Sequence, residues 1–410
     1  MELRDYQKEI VRLGVNVLKE HKFVYLAMEV RTGKTLTSLS ICKTLAVSDV
    51  LFITKKKAIS SIQDDYNLLN PDFNITIINY ESLHKIAPTP YCVIICDEAH
   101  GMGAFPKRNK RSTQVRSLIL ENNPFVIFLS GTPTPESYSQ MYHQVSVMLN
   151  HPFSEYKTFY KFAKKYVNIK QRKINSFMIN DYSNGLQTII DEMKPHTISY
   201  TQKEAGFKVK TREHILEVEM SPITYQLTNK LKKHLVVEGA DDVILADTPV
   251  KLMMKLHQMY SGTVKFESGN SMILDLSKAQ FIHDNFADAK IGIFYKFKEE
   301  LNALKEIYGD QLCTDLSTFN ETNKTIALQI VSGREGISLR KADALVYYNI
   351  DFSATSYWQS RDRMTTKERL ESDVYWIFSR GGIESDIYKA VIKKKDYTLR
   401  HFKRDLLTLN

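Results

Sequence analysis

The 410-residue chain carries 56 Lys and Arg against 47 Asp and Glu, a formal charge of +9, with 43% hydrophobic residues. That length allows two or three domains with ample core; no run approaches the roughly 18 apolar residues of a membrane span, and MELRDYQKEI does not read as a signal peptide. The basic balance favours a polyanionic partner, and Cys42, Cys92, Cys96 and Cys313, without paired metal spacing, suit a reducing intracellular setting.

In chain order, Leu3-Arg4-Asp5-Tyr6-Gln7 opens a helix predicted to run to about Glu20. Gln7 reads either as a solvated helical residue or as an amide able to meet an adenine edge. An apolar run follows (FVYLAM, 23–28), then AMEVRTGKT over 27–35, then Leu36, Leu39 and Ile41 at helical spacing. This is strand, tight turn and helix N-terminus. Backbone N–H groups around Thr32 and Gly33 can cradle phosphates, the Lys34 ammonium can reach the terminal ones, and the Thr35 hydroxyl can hold Mg²⁺. The full P-loop pattern wants a glycine five residues before Gly33, where this chain has Met28.

The next predicted strands are VLFIT (50–54), followed by Lys55-Lys56-Lys57, and ITII (75–78), leading into Asn79-Tyr80-Glu81-Ser82. YCVIIC (91–96) places Cys92 and Cys96 on one face as core thiols and ends at Asp97-Glu98-Ala99-His100. A buried parallel strand delivering two acids at its carboxyl end is the second half of a nucleoside triphosphate site. It stands about sixty residues after GKT, and that order points to nucleotide binding and hydrolysis. FVIFL (125–129) then ends at Ser130-Gly131-Thr132-Pro133, whose hydroxyls can join the acids to a second bound polymer.

Strands alternating with helical stretches predict an α/β fold, a parallel sheet with helices on both faces. Residues 151–200 break the alternation. Phe159, Phe162 and Tyr166 recur at helical spacing with Lys157, Lys161, Lys164 and Lys165 between them. That is either an amphipathic helix with a solvated basic face or a basic helix beside a nucleic-acid groove. Residues 207–220 look like an extended pair, and 223–262 mostly helical. A second alternating block follows, with KIGIFY (290–295), TIALQIVSG (325–333), ALVYYNI (344–350) and DVYWIF (373–378) strand-like and no second GKT turn. The basic tail (393–395 and 400–404) reads as solvated charge.

The ordered motifs LRDYQ, TGKT, DEAH, SGTP, SGREGISL (332–339) and QSRDRM (359–364) resemble superfamily-two helicases and translocases. TREHILEVEMSPITYQL (211–227), Ala342-Asp343 and GGIESDIYKAVIKKK (381–395) bring the resemblance closest to the chromatin-remodeller-like (Swi/Snf-type) branch, particularly its compact phage-encoded forms. It covers nearly the whole chain. It implies two RecA-like lobes: 1–222, with a helical insertion at about 150–200, and 223–410, with a helical lead-in at about 223–262.

By that resemblance Gln7 contacts adenine, Thr32, Gly33 and Lys34 the phosphates, and Thr35 with Asp97 the Mg²⁺. Glu98 orients or deprotonates the attacking water, while His100, Ser130, Thr132 and Gln359 couple hydrolysis to movement. Gly333 and Gly336 touch the nucleic-acid backbone, and Arg363 reaches the γ-phosphate. The sequence departs from the branch at Arg31, where glycine is usual, and at Thr366, where the final motif's second arginine is expected; Arg361 and Lys367 stand nearby. The implied function is an ATP-dependent DNA motor, acting on duplex, branched or single-stranded DNA, with any targeting, replication or recombination partner a separate protein. An RNA helicase and a nucleotide-gated binding module without processive movement are the alternatives.

Overall fold

The computed structural model describes residues 2–86, 89–174, 177–206, 210–239, 242–330, 339–352, 360, 371–388 and 407–408. The chain forms two compact units, 1–207 with 394–410, and 208–393. In the first unit, strands β1 (Phe23–Met28), β2 (Asp49–Thr54), β3 (Asn74–Asn79), β4 (Val93–Asp97) and β5 (Phe125–Leu129) follow the apolar runs closely. An antiparallel hairpin, β6 (Lys170–Ile174) and β7 (Phe177–Asp181), precedes β8 (Thr197–Tyr200). With the two-residue strand Leu407–Thr408, the sheet runs 407–408, β8, β1, β5, β4, β2, β3, and every pairing is parallel.

The runs are continuously apolar because both faces are covered. Alternate residues go to opposite sides: Tyr25, Leu51, Ile53, Ile94 and Phe128 enter one core, while Leu26, Val50, Phe52, Ile95 and Ile127 enter the other. Helices α1 (Asp5–His21) and α2 (Lys34–Thr44) cover the second face through Ile10, Val15, Leu18, Leu39 and Ile41. Cys96 is buried, whereas Cys92 stands just before β4, half-buried, 3.3 Å from Ser48 Oγ.

The insertion is not simply helical. One basic helix, Phe159–Tyr166, buries Phe159, Phe162, Ala163 and Tyr166 against the first core. The hairpin β6–β7 follows, and Thr197–Tyr200 returns to the main sheet beside β1. Lys170–Ile174 escapes apolar periodicity because it is mostly cationic and amide, and Thr197–Tyr200 because it is only four residues long.

Three histidines of this unit are held neutral by burial. His143, bonded to Pro106 O at 2.9 Å, is lowered to about 4, and His151 and His196 likewise. Their unfolded pKa is near 6.5, so the unfolded chain takes up protons that the fold refuses as pH falls from about 6.5 to about 4. Stability is therefore fully present above about 6.5 and declines below it, by about 1.4 kcal/mol per pH unit for His143 alone. Thermal midpoints recorded from pH 7.5 to 5 should fall, and His143→Gln should shallow that dependence; an unchanged slope refutes the assignment.

The second unit begins earlier than the 222/223 boundary expected from the sequence. Among the described residues of 207–220, the expected extended pair is replaced by one strand, β9 (Lys210–Val218), parallel to Glu371–Ser379 of the second sheet. Small hairpins, β10 (Val236–Glu238) with β11 (Val243–Leu245) and β12 (Thr263–Lys265) with β13 (Ser271–Ile273), interrupt a lead-in whose helices are Pro222–His234 and Pro249–Tyr260. The sheet comprises β14 (Ile291–Tyr295), β15 (Leu312–Cys313), β16 (Thr325–Gln329), β17 (Ala344–Tyr347), β18 (Glu371–Ser379) and β9, in the parallel order β15, β16, β14, β17, β18, β9. Apolar residues again fill both faces, with Tyr347 stacked on Trp376 at 3.9 Å on one of them. No helix among the described residues is long and apolar enough to cross a membrane.

Candidate active site

The carboxyl edge of the first sheet gathers the polar motifs. Beyond β1 the chain turns through residues 29–33, and Thr32 Oγ1 closes the turn by donating to Glu29 O at 2.7 Å. Gly33 has a φ of 83°, and a Cβ there would lie 2.4 Å from Gln7 Nε2, so the position requires glycine. Arg31 also takes a left-handed φ of 64°. The conformation that glycine would supply is thus adopted by arginine, at a cost on the order of 1–2 kcal/mol.

Helix α2 starts at Lys34 with no side-chain cap and no acid in its first turn, which leaves its free N–H groups and positive end to an anion. Lys34 Nζ donates to Met28 O at 3.1 Å and Glu29 O at 3.4 Å. Thr35 lies in the same first turn. Gln7 is only 3% exposed. Its carbonyl oxygen accepts from Arg4 N (3.1 Å), and its amide donates to Gly33 O (3.4 Å) and Thr37 Oγ1 (3.3 Å), tying α1 to the turn. Tyr6 stacks on Tyr200 at 4.6 Å and donates to Thr32 O. From the end of β8, Gln202 holds the turn through its N–H on Glu29 Oε2 (2.7 Å) and its amide on Val30 O (2.9 Å).

Asp97 ends β4. Its Oδ2 accepts from Thr54 Oγ1 at 2.8 Å, and its backbone carbonyl from Tyr80 OH at 2.7 Å. Burial, reinforced by the Glu98 carboxylate, pushes the Asp97 carboxyl up to about 6 against the pull of Lys34. Glu98 takes φ 48° and ψ 45°, a left-handed conformation uncommon for a non-glycine residue, just past the end of β4. Its Oε2 lies 3.2 Å from His100 Nδ1, and the same nitrogen is 2.9 Å from Ser130 Oγ. Ser130 Oγ accepts from Thr132 N at 3.1 Å, and Thr132 Oγ1 is buried without a hydrogen-bond partner. An unbroken polar line therefore runs from the acids to the Ser130–Thr132 turn.

Gln7, Thr32, Gly33, Lys34, Thr35, Asp97, Glu98, His100, Ser130 and Thr132 come together at this edge. An uncapped helix end, one ammonium, one hydroxyl and an enclosed acid pair suit a magnesium nucleoside triphosphate. Lys161, Lys164 and Lys165 lie on the insertion helix Phe159–Tyr166. Lys161 and Lys164 are exposed, while Lys165 sits over the Tyr156 and Tyr166 rings at 5.5 and 5.1 Å. Gly333, Gly336, Gln359 and Arg363 lie outside the described residues, as do Arg361, Thr366 and Lys367. Sequence reasoning missed Thr54, Tyr80, Tyr6, Glu29 and Gln202. Thr54 was findable, as the last residue of a buried strand ending at the same edge.

The second sheet presents acids at its own carboxyl edge already engaged. Buried Glu300 accepts from Asn349 Nδ2 at 2.6 Å and from Lys296 N at 2.6 Å, and Asp351 pairs with Lys296 at 2.9 Å. Among the described residues no group of three or more His, Cys, Asp or Glu is arranged to hold a metal ion.

Residues 47–267 match the SNF2-related domain. The matched stretch begins after Thr35, so the GKT turn is an observation independent of it. A curated protein from Oryza sativa subsp. japonica, described as a "probable chromatin-remodeling complex ATPase chain", is 22% identical over 369 residues, covering 80% of this chain and 32% of that protein. The chain thus spans about a third of that relative's length. Among solved structures, the Sulfolobus solfataricus SWI2/SNF2 ATPase core in complex with dsDNA is similar at 15% identity and a TM-score of 0.44, covering 97% of this chain and 92% of that one. The Sulfolobus solfataricus SWI2/SNF2 ATPase core domain is similar at 16% identity and a TM-score of 0.42, covering 96% and 89%.

Proposed function

The chain belongs to the SNF2-related domain family, and from that premise we propose that it is an ATP-driven motor that moves along duplex DNA. The observation that carries the reading is the polar line from Asp97 and Glu98 through His100 to Ser130, at the edge where Lys34 and the uncapped α2 end stand. Lys34 and the N–H groups of the turn would position the phosphates, and Thr35 with Asp97 would hold a magnesium ion. An ion held there would supply positive charge against the phosphates of the bound nucleotide. Glu98 orients the attacking water and takes its proton. His100, bonded to both Glu98 and Ser130, registers the change and passes it to the turn that follows β5.

Backbone charge is expected to supply much of the DNA affinity, independent of sequence. Neutralising Lys161, Lys164 and Lys165 together should flatten the salt dependence, by roughly 0.9 for each phosphate that these lysines neutralise in the parent. Because Lys165 is already held by tyrosine rings and by Glu155 at 3.8 Å, most of that change should come from Lys161 and Lys164. An unchanged slope assigns this helix to structure alone.

Two measurements test the whole reading. Hydrolysis should rise with duplex DNA more than with single-stranded DNA or RNA, and the protein should displace a third strand from a triplex while hydrolysing ATP. Stimulation by RNA alone favours an RNA helicase. Hydrolysis without triplex displacement favours a nucleotide-gated binding module.

A further inference from the structure

Asp97 stands where the sheet stops supporting β4 on one side. Towards β5 it is still in register, opposite Leu129. Towards β2 the register ends one residue earlier, with Ile53 opposite Cys96. The next residue, Glu98, is left-handed, so the chain turns sharply between the two acids. A strand end of this kind frays unless other groups take up its backbone polar atoms.

Two hydroxyls hold this one. Thr54, the last residue of β2, donates to the Asp97 side chain at 2.8 Å. Tyr80 follows β3, which lies on the far side of β2, and reaches across to donate to the Asp97 carbonyl oxygen at 2.7 Å. That carbonyl belongs to the rigid peptide plane joining Asp97 to Glu98. Fixing its oxygen fixes the plane from which both acids depart. The plane on the other side of Glu98 is held as well, because Glu98 O accepts from Gly101 N at 2.9 Å. A left-handed non-glycine residue persists only where its surroundings over-determine it, and these two bonds do so from either side. Tyr80 is itself fixed. It is 2% exposed in the first core, and the Arg111 guanidinium lies over its ring at 5.3 Å while donating to Glu81 Oε1 at 2.6 Å. A Cβ on Gly101 would lie 3.1 Å from Arg111 Nη1, so the same guanidinium rests against the turn that follows Glu98.

We propose that Tyr80 is the positioning residue of the acid pair: through the peptide plane between them, its hydroxyl sets Asp97 toward the metal and Glu98 toward the attacking water. Packing alone would be served by a phenylalanine, whereas here a buried hydroxyl is spent on one carbonyl at the end of β4. The inference rests on the reading of this edge as a magnesium nucleotide site. It deepens that reading, which gives the two acids their roles but not what keeps them oriented. Groups that hold a metal-binding carboxylate from behind typically contribute about 10–100-fold in metal affinity or activity.

The test compares the full chain with two variants. Tyr80→Phe keeps the ring and removes only the hydroxyl. Tyr142→Phe removes a hydroxyl of the same core that is bonded instead to Tyr156 O at 2.6 Å. Manganese, a paramagnetic stand-in for magnesium, is titrated into each protein with a non-hydrolysable ATP analogue and followed by electron paramagnetic resonance. Analogue binding in EDTA and steady-state hydrolysis at saturating magnesium are measured alongside. In Tyr80→Phe, manganese affinity and turnover should each fall by about tenfold or more, with analogue binding in EDTA unchanged within about twofold. Tyr142→Phe should match the parent in all three. Parent-like manganese affinity in Tyr80→Phe overturns the assignment, and so does an equal loss in both variants. A Tyr80→Phe chain that fails to fold where Tyr142→Phe folds overturns it too, since the hydroxyl then holds the unit and not the acids. A parent that binds neither manganese nor the analogue overturns the nucleotide reading itself.

Discussion

Lys34→Ala should abolish nucleotide turnover, and Glu98→Gln should stop hydrolysis while keeping nucleotide bound. The two variants remove different things. Lys34 supplies the cation of the GKT turn, and its ammonium is already aimed into that turn by Met28 O and Glu29 O. Its removal takes away charge that phosphoryl transfer needs in both ground and transition states. Glu98→Gln keeps size and hydrogen bonding but cannot accept a proton, so only water activation is lost, a contribution of about 10²–10⁴ in rate. The amide also keeps a polar partner for His100, 3.2 Å from the native carboxylate. Nucleotide affinity should therefore stay within a few-fold in Glu98→Gln and fall in Lys34→Ala. Equilibrium nucleotide binding and steady-state hydrolysis on folded protein separate the two effects. Robust turnover in either variant would remove the site from this edge.

Arg363→Ala should remove nearly all DNA-stimulated hydrolysis and leave ATP binding within a few-fold. An arginine finger contributes about 10³–10⁵ in rate because its cation meets charge that develops only in the transition state. Arg363 stands four residues after Gln359, where the final motif's first arginine is expected, and Thr366 cannot provide a second charge. Lys367 offers a point charge instead of a planar fork, so Lys367→Ala should have a smaller effect and Thr366→Arg should be tolerated or mildly activating. If Arg363→Ala keeps more than about a tenth of the parent rate with saturating duplex DNA, far above what removal of a finger permits, the finger lies elsewhere. A surface ion pair of ~0–1 kcal/mol would then be its whole contribution.

What the sequence reveals follows from burial. β1, β2, β4 and β5 are covered on both faces, so each is an apolar run whose end is legible within a residue or two, and GKT, Asp97–His100 and Ser130–Thr132 fall on one edge as a result. β9 is harder to read because it is an edge strand. Arg212 pairs with Glu371 and Asp373, and Glu217 with Arg380, so its charges balance an exposed rim instead of marking a turn. Tyr6 and Gln202 leave no periodic signal. Their roles come from contacts with Tyr200 and with the Glu29–Val30 turn, made by residues nearly the whole unit apart in sequence. The structure also gives Arg31 a meaning the motif comparison does not, since it adopts the left-handed φ of the glycine it replaces.

The pairing of β9 with β18 bears on how the chain is made. Among the described residues, strand Lys210–Val218 has one sheet neighbour, Glu371–Ser379, some 150 residues further on. At ribosomal rates of about 5–20 residues per second, that partner emerges roughly 8–30 s later. Until then Ile215 and Leu216 belong to a strand with neither edge filled, in a chain already long enough to collapse. The charged and polar run Arg212-Glu213-His214, with Glu217, should keep nascent copies from zipping to one another during the wait. Polypeptides cut short before residue 371 would carry that unsatisfied strand permanently and should be the ones that burden the cell's chaperones.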